Sequence, residues 1–299
     1  VVKAAIRSLA SAASPLLSAV LERANGRRGG IILAYHELAA RTLRDQLLRV
    51  SERYRFVSLS EFVDRVAADR STAGLAAITF DDGYGPVVED AARISQEQGW
   101  PMTFYLPTRY LDSREPYWYQ ELRPLLERAQ EGAAGLTQLD AFFRRMRSEA
   151  EVAAELRRLR LRLHGSEERP AWLETTPPIP WQRVRELARN DALSFEAHTV
   201  NHLALSRLDD DAIASEMDAC CRRIEEFTGR RVEHFCYPFG GMPEIGDAAP
   251  RVARRRFKSA TTLVRGRCRA GADLALLPRV PLYEGDSAAI VALKLATAR

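Results

Sequence analysis

The placement of its chemistry-bearing residues constrains this 299-residue chain more than any other feature. Short stretches that read as strands, the first of them an unbroken apolar run, end one after another on polar groups. Ile31–Tyr35 ends on His36, 76–80 on Asp81-Asp82-Gly83, Leu193–Ala197 on His198, and 233–236 on the turn Tyr237-Pro238-Phe239-Gly240-Gly241. Runs of four to six apolar residues bounded by turn signals are the signature of strands covered on both faces. Helical patterns separate them: Leu43, Leu47, Leu48 and Val50 at helical spacing, a second helix capped at Ser60, Pro86 to Gln98 closed by Gly99, and 209–228 closed by Gly229. Alternating strand and helix predicts an α/β fold whose parallel sheet is closed, or nearly so, into a barrel. In such folds the carboxyl ends of the strands converge on one rim, where sites are built. Two carboxylates and three of the five histidines are thereby gathered at one end of the molecule.

Residues 113–172 have a different texture, rich in Arg, Glu and Leu, as in EVAAELRRLRLRL. They read as a helical insertion whose apolar stripe needs another surface to bury against. A linker at 173–180 with three prolines leads back to a helix at 181–189. Further on come a helix at 247–256, a strand at 259–263 and a last strand around Leu277-Pro278-Arg279-Val280. Residues 1–28 form a separate segment, apolar at helical spacing, with only Lys3 and Arg7 charged before Glu22. Serines and Pro15 interrupt its apolar stretch, which argues against a signal peptide and against a membrane span. The segment is expected to be an amphipathic helix that packs on the domain or makes peripheral contact with a membrane. The domain organisation is therefore 1–28, then one barrel over 29–299 with the insertion at about 113–172.

Charge narrows the partners. The formal charge is +4, but Lys occurs only at positions 3, 258 and 294, and 40 acidic residues are interspersed with the arginines. The densest basic run, Arg251, Arg254, Arg255, Arg256 and Lys258, reads as a solvated helix face, and no nucleic-acid partner is expected. Cys220, Cys221, Cys236 and Cys268 lack both zinc-clip spacing and a disulfide framework, which suits a reducing compartment. A cytoplasmic or membrane-peripheral location is expected in preference to export.

Asp82, His198 and His202 make a two-histidine, one-carboxylate set. If the chain turns helical after Ala197, the two imidazoles, four residues apart, face one side; Thr199 is placed to hydrogen-bond across that loop. Neutral nitrogens with one carboxylate suit one divalent ion, Zn²⁺ first, with Co²⁺ or Ni²⁺ as alternatives. Asp81 and Asp82 diverge if the backbone there is still extended, so one can bind the ion while its neighbour accepts a proton from water. Such an ion lowers the pKa of water from 15.7 toward about 7. Asp-Asp-Gly alone would read as a turn; the histidines change that reading. A glycosidase is excluded, because adjacent carboxylates cannot flank a glycosidic bond at the roughly 5–9.5 Å required.

TFDDGY at Thr79 to Tyr84, HTVNH at His198 to His202 and FCYPFG at Phe235 to Gly240 together resemble the first three motifs of the NodB-type polysaccharide deacetylases, carbohydrate esterase family 4. The likeness spans roughly 30–110 and 190–285. It implies a distorted (β/α)7 barrel, Asp81 as catalytic base, and Asp82, His198 and His202 as metal ligands. It also implies that the backbone N–H around Phe239, with the metal, stabilises the oxyanion. Separately, Tyr84 and Tyr237, as aromatic rings suited to stacking on a sugar, and Gly240 are candidate substrate contacts. Two positions depart from the pattern. Cys236 stands where family members often carry the Arg that pairs with the base, and Leu277-Pro278-Arg279 stands where many carry a late Leu-x-His. A branch of the family draws its general acid from an early strand ending in Tyr-His, which Ala34-Tyr35-His36-Glu37 resembles. His36 is accordingly expected to be the general acid, and Arg279 to substitute as the cation supporting Asp81. The function implied is metal-dependent hydrolysis of an N-acetyl group on a sugar or polysaccharide, releasing acetate and a free amine. Alternatives are a catalytically altered barrel that recognises glycans, or a deacylase for a lipid-linked or N-formyl sugar.

Overall fold

The computed structural model describes residues 29–128, 141 and 144–298; the expected helix at 1–28 lies outside them. Eight parallel strands alternate with helices. In chain order the first half runs β1 (Ile31–Tyr35), α1 (Ala40–Ser51), β2 (Arg55–Phe56), α2 (Leu59–Ala67), β3 (Leu75–Phe80), α3 (Gly85–Gln98), β4 (Met102–Leu106), α4 (Thr108–Ser113), α5 (Trp118–Arg128) and α6 (Glu149–His164). The second half runs α7 (Trp181–Leu187), β5 (Leu193–Ala197), α8 (Asp210–Thr228), β6 (His234–Cys236), α9 (Met242–Ile245), α10 (Ala248–Arg256), β7 (Ser259–Arg265), β8 (Leu277–Pro281) and α11 (Ala288–Thr297).

Pairing of β1 with both β3 and β8 closes a ring of seven strands, and the two-residue β2 extends the ladder at the start of β3. The ring is distorted in two places. β5 and β6 share a single register pair, Ala197 with Phe235, and β7 slips against β8 between Thr261 and Arg265.

Strand alternation sorts the core into two faces. Ile31, Leu33 and Tyr35 join the layer under the helices, whereas Ile32, Ala77, Tyr105, Cys236 and Leu277 belong to a second cluster. In the outer layer Tyr35, Phe80, Phe104 and Phe195 stand in register on four neighbouring strands. Their rings stack at 5.4, 5.1 and 5.4 Å between centroids. Each such pair contributes about 0.5–1.5 kcal/mol beyond its area burial, and together they pin the register that brings the strand ends level.

Several helix ends follow their local signals. Gly99 and Gly229 close α3 and α8 in the left-handed conformation, and Asp209 caps α8 by accepting the Ala212 N–H. The cap of α2 is Ser58 and not Ser60, because the Ser58 hydroxyl accepts the Glu61 N–H. Ser60 instead bonds His234 Nε2 at 3.0 Å. The short helix α4 and the terminal helix α11, capped by Ser287, add to the elements expected from the sequence.

In the insertion, Trp118, Leu122 and Leu125 of α5 pack against Val152, Leu156 and Leu159 of α6, with Leu203 and Phe239 of the barrel rim in the same cluster. The apolar stripe is thus buried between the two helices and against the loops that carry the site. On α10, Arg251, Arg254 and Arg256 pair with Asp210, Asp273 and Asp218, so the basic run is laced with acids. All four cysteines are buried and free. No helix among the described residues is long and apolar enough to cross a membrane.

Candidate metal centre and catalytic site

Three loops at the carboxyl rim build the centre. Asp81 and Asp82 follow β3, and the Asp81 N–H is anchored to Tyr35 O at 2.9 Å. Asp82 and Gly83 both adopt φ +70°, so the two carboxylates diverge through a left-handed residue and not through extended backbone. Tyr117 from the insertion donates its hydroxyl to Asp82 O, holding that turn. After β5 the loop does not become helical as anticipated. Thr199 and His202 take φ +66° and +52°, and this double left-handed turn folds both imidazoles toward Asp82. The Thr199 hydroxyl accepts the His202 N–H at 3.0 Å, the cross-loop bond expected of it.

His198 Nε2 and His202 Nε2 lie 3.7 and 3.5 Å from Asp82 Oδ1. These separations are too long for hydrogen bonds. They match donors that share one ion, since two ligands about 2.0–2.1 Å from a tetrahedral centre stand roughly 3.3–3.4 Å apart. Asp82 Oδ1 is buried with no hydrogen-bond partner, an orphaned acceptor that such an ion satisfies. His198 Nδ1 lies 2.7 Å from Cys236 O, which fixes the N–H there and leaves Nε2 as the lone-pair donor. Burial pushes both imidazoles down, His202 furthest, with the neighbouring His198 adding to that shift; both are therefore neutral, as ligands must be. A second grouping, Asp81 with His198 and Cys236, is also close enough to share an ion. It fits less well: Asp81 is already saturated, and burial raises the Cys236 thiol far from its thiolate form.

What saturates Asp81 is Arg279, brought in by β8. Its guanidinium donates to Asp81 Oδ1 and Oδ2 at 2.7 and 2.6 Å, to Thr79 Oγ1 at 3.0 Å and to Thr262 O at 2.9 Å. Cys236 Sγ, at the position where family members often carry arginine, receives a contact from the same guanidinium at 3.0 Å. Burial alone would raise the Asp81 carboxyl, but the charge and hydrogen bonds of Arg279 outweigh it and hold the group well below the ordinary carboxylate range. On the other side, His36 Nε2 stands 3.4 Å from Asp81 Oδ2, and its ring is partly open to solvent.

The turn after β6 supplies Phe239, itself at φ +63°, whose ring packs on His202 at 4.8 Å between centroids. Among the described residues its backbone N–H has no hydrogen-bond acceptor. Gly240, at φ +66°, approaches β7 so closely that a Cβ would sit 2.5 Å from Leu263 N, so the backbone itself requires glycine at this position. Tyr237 turns inward: it is buried, stacks edge-on against Phe235 and donates its hydroxyl to Ala275 O at 2.8 Å. Tyr84, by contrast, reaches a surface groove. With Tyr119, Glu37, Gln120 and Thr176 it lines a groove of about 540 Å³. Tyr119 stands 5.3 Å from the His202 ring, and Glu37 directly follows His36, so the groove opens beside the centre.

A closed parallel barrel with a carboxylate and two neutral imidazoles converging at its carboxyl rim defines an α/β barrel protein with a candidate metal centre. The polysaccharide deacetylase profile matches residues 68–254, more than half of the chain, and the chain belongs to that family. Solved structures share the fold. The Streptococcus pyogenes deacetylase PplD, in complex with acetate, superposes with a TM-score of 0.61 at 17% identity, covering 89% of this chain and 98% of that one. IcaB from Ammonifex degensii gives 0.60 at 16% identity, covering 90% and 97%. A de-N-acetylase from Aggregatibacter actinomycetemcomitans gives 0.60 at 13% identity, covering 88% and 98%. No functionally curated protein matches in sequence.

Proposed function

We propose that this chain hydrolyses the N-acetyl group of an amino sugar within a glycan, releasing acetate and a free amine. The observation that carries this reading is the division of labour between adjacent carboxylates. Asp82 faces two neutral imidazoles with an unsatisfied oxygen, while Asp81 is held ionised by Arg279 and kept out of that donor set. Asp82, His198 and His202 would hold one divalent ion, Zn²⁺ by donor preference with Co²⁺ or Ni²⁺ as alternatives, which when bound would supply Lewis-acid polarisation of the acetyl carbonyl and a more acidic water.

The protein's own groups carry the rest. Asp81 takes a proton from the attacking water, and Arg279 fixes the direction from which it does so. As the carbonyl oxygen gains charge, the Phe239 N–H donates to it; one such donor is worth about 2.7–4 kcal/mol in comparable oxyanion holes. The C–N bond then breaks as His36 delivers a proton to the departing nitrogen, so that an amine and not an amide anion leaves. Adjacent sugar units lie in the groove walled by Tyr84 and Tyr119, whose rings suit the apolar face of a pyranose. The early Tyr-His strand end, Tyr35-His36, supports placing this chain in the branch that draws its acid from β1.

Acetate release from N-acetylated oligosaccharides and lipid-linked amino sugars tests the reading, with metal-stripped protein and restored Zn²⁺ or Co²⁺. Metal-dependent release that disappears in Asp81→Asn is the expected result. Stoichiometric metal binding with no release from any acetylated or formylated sugar would instead indicate a barrel that only recognises glycans.

A further inference from the structure

Each strand-end loop of the centre holds strained backbone, and the HTVNH loop holds the most. Two of its five residues, Thr199 and His202, are non-glycine residues at positive φ, one of them a β-branched side chain for which that region is unfavourable. Conformations of this kind cost of order 1–3 kcal/mol each and persist only where the surroundings over-determine them. The Thr199–His202 bond lies within the loop and cannot by itself hold it against the barrel. Two backbone bonds tie one side of the loop to α4, Thr108 N–H to Thr199 O at 3.2 Å and Arg109 N–H to Val200 O at 3.1 Å. They occupy carbonyls and leave the N–H groups of Val200 and Asn201 to be satisfied elsewhere.

Glu216, in the second turn of α8, satisfies both. Its Oε2 accepts the Val200 N–H and the Asn201 N–H at 2.9 Å each, and its Oε1 accepts Asn201 Nδ2 at 2.6 Å. One carboxylate thus closes three bonds on two of the three residues between the histidines of the donor set. The charge-assisted character of these bonds makes them roughly twice as strong as neutral ones. α8 is itself anchored to the barrel by buried Ile213, Met217, Cys220 and Cys221. The clamp therefore references the loop to the rigid frame and not to another loop.

We propose that Glu216 is a positioning residue for the metal centre: its carboxylate holds the left-handed turn that aims His198 Nε2 and His202 Nε2 at Asp82 Oδ1. It touches neither the donor set nor the groove, and it acts through the Val200–Asn201 backbone. The inference rests on the donor set of Asp82, His198 and His202 proposed above. Loss of the clamp frees two backbone N–H groups at a half-buried loop, lets Thr199 relax toward negative φ, and lets His202 leave its line to Asp82.

The test is metal binding by the full chain, read with Co²⁺ absorption and Zn²⁺ titration calorimetry, alongside thermal unfolding of the metal-free protein. Glu216→Ala is expected to weaken metal binding about 10- to 100-fold, the range seen when outer-shell partners of ligands are removed. It is also expected to lower the intensity of the Co²⁺ d–d bands, while metal-free unfolding shifts only slightly. Glu216→Gln keeps an amide oxygen for the two backbone N–H groups and loses only the bond to Asn201 Nδ2, so it should bind metal at an intermediate affinity. If Glu216→Ala does not fold, Glu216→Gln decides alone. Wild-type affinity and an unchanged Co²⁺ spectrum in the folded variants would overturn the positioning role while leaving the donor set standing. Absence of metal binding by the unaltered chain would overturn the donor set, and with it this inference.

Discussion

Arg279 on β8 and Asp81 just past the end of β3 belong to strands that are not adjacent in the ring, yet they meet in a fully buried two-pronged ion pair at 2.7 and 2.6 Å. The pair spans β1, which lies between them. Such geometry matters more to the chemistry than to stability. Exchanging a buried ion pair for apolar residues is often neutral, whereas removing one partner strands the other charge at about 3–5 kcal/mol. The pair fixes a carboxylate in its ionised form at the edge of the metal centre, with both oxygens oriented.

Arg279→Met should therefore expose the opposing tendency, the burial that favours a protonated Asp81. Asp81's folded-state value is depressed, so its contribution to stability is present above the unfolded carboxylate value of about 3.9 and is lost as pH falls through the lower folded value. In the parent protein Asp81 stays ionised across any practical assay range. In Arg279→Met its titration should rise into that range, and the acid limb of the pH profile of kcat/KM should move up by roughly one pH unit or more. Arg279→Lys keeps a charge but not the fork, and should give an intermediate profile. An acid limb that stays in place, with activity merely scaled down, would show that Arg279 does not set the state of Asp81.

His36 separates proton donation from metal binding. Its Nε2 lies 3.4 Å from Asp81 Oδ2, outside the donor set of Asp82, His198 and His202. His36→Ala should leave metal stoichiometry unchanged while lowering amide hydrolysis about 10²- to 10⁴-fold, the usual contribution of a positioned acid. An aryl acetate, whose phenolate leaves without a proton, should be spared most of that loss. Equal losses on amide and aryl ester would place His36 in support of Asp81 and not in protonation of the leaving group.

How far the sequence anticipates this site depends on which property of a residue matters. Strand-end position is legible, because short strand-like stretches stop where polar groups begin; that is why Asp81, Asp82, His198 and His202 group together on the pattern alone, and why a ring of strands is expected. Backbone hand is not legible. The pattern puts Asp82 on extended chain and His198 to His202 on a helical turn, but Asp82, Thr199 and His202 are left-handed. None is glycine, so propensity points away from the conformation that tertiary contacts impose. Direction is also hidden. Tyr237 and Tyr84 are both tyrosines in the matching motifs, yet one turns its hydroxyl to Ala275 O and the other lines the groove. Partners distant in sequence leave no trace either: nothing in the pattern of α8 marks Glu216 as the residue that reaches Asn201. The insertion's helical character is plain from composition, whereas its reach to Asp82 O through Tyr117 is not.

The weakest seam of the ring yields a prediction of its own. β5 and β6 share one register pair, and just before it the side chain of Glu196 stands in for the missing ladder: its Oε2 accepts the N–H groups of Glu233 and His234 at 2.9 and 2.8 Å. Burial pushes this carboxyl up to about 8, and the two N–H bonds, which favour the charged form, only partly offset it. A folded value raised above the unfolded one means the folded state holds the proton longer. Its contribution is thus fully present below the unfolded value near 4.5 and is lost as pH rises through about 8. Glu196→Gln keeps an acceptor for both amides and never ionises. Relative to the parent it should be near-neutral at pH 5 and more stable at pH 8.5 by about 1–3 kcal/mol, because a tenfold change in proton affinity between the two states is worth about 1.36 kcal/mol. Urea unfolding of both proteins at the two pH values measures this, and the difference between them is what counts, because other groups titrate in both. A gap that fails to widen with pH would mean that Glu196 is ionised in the fold at neutral pH. The seam between β5 and β6 would then be held by a true carboxylate clamp, of the kind Glu216 makes on the loop that follows β5.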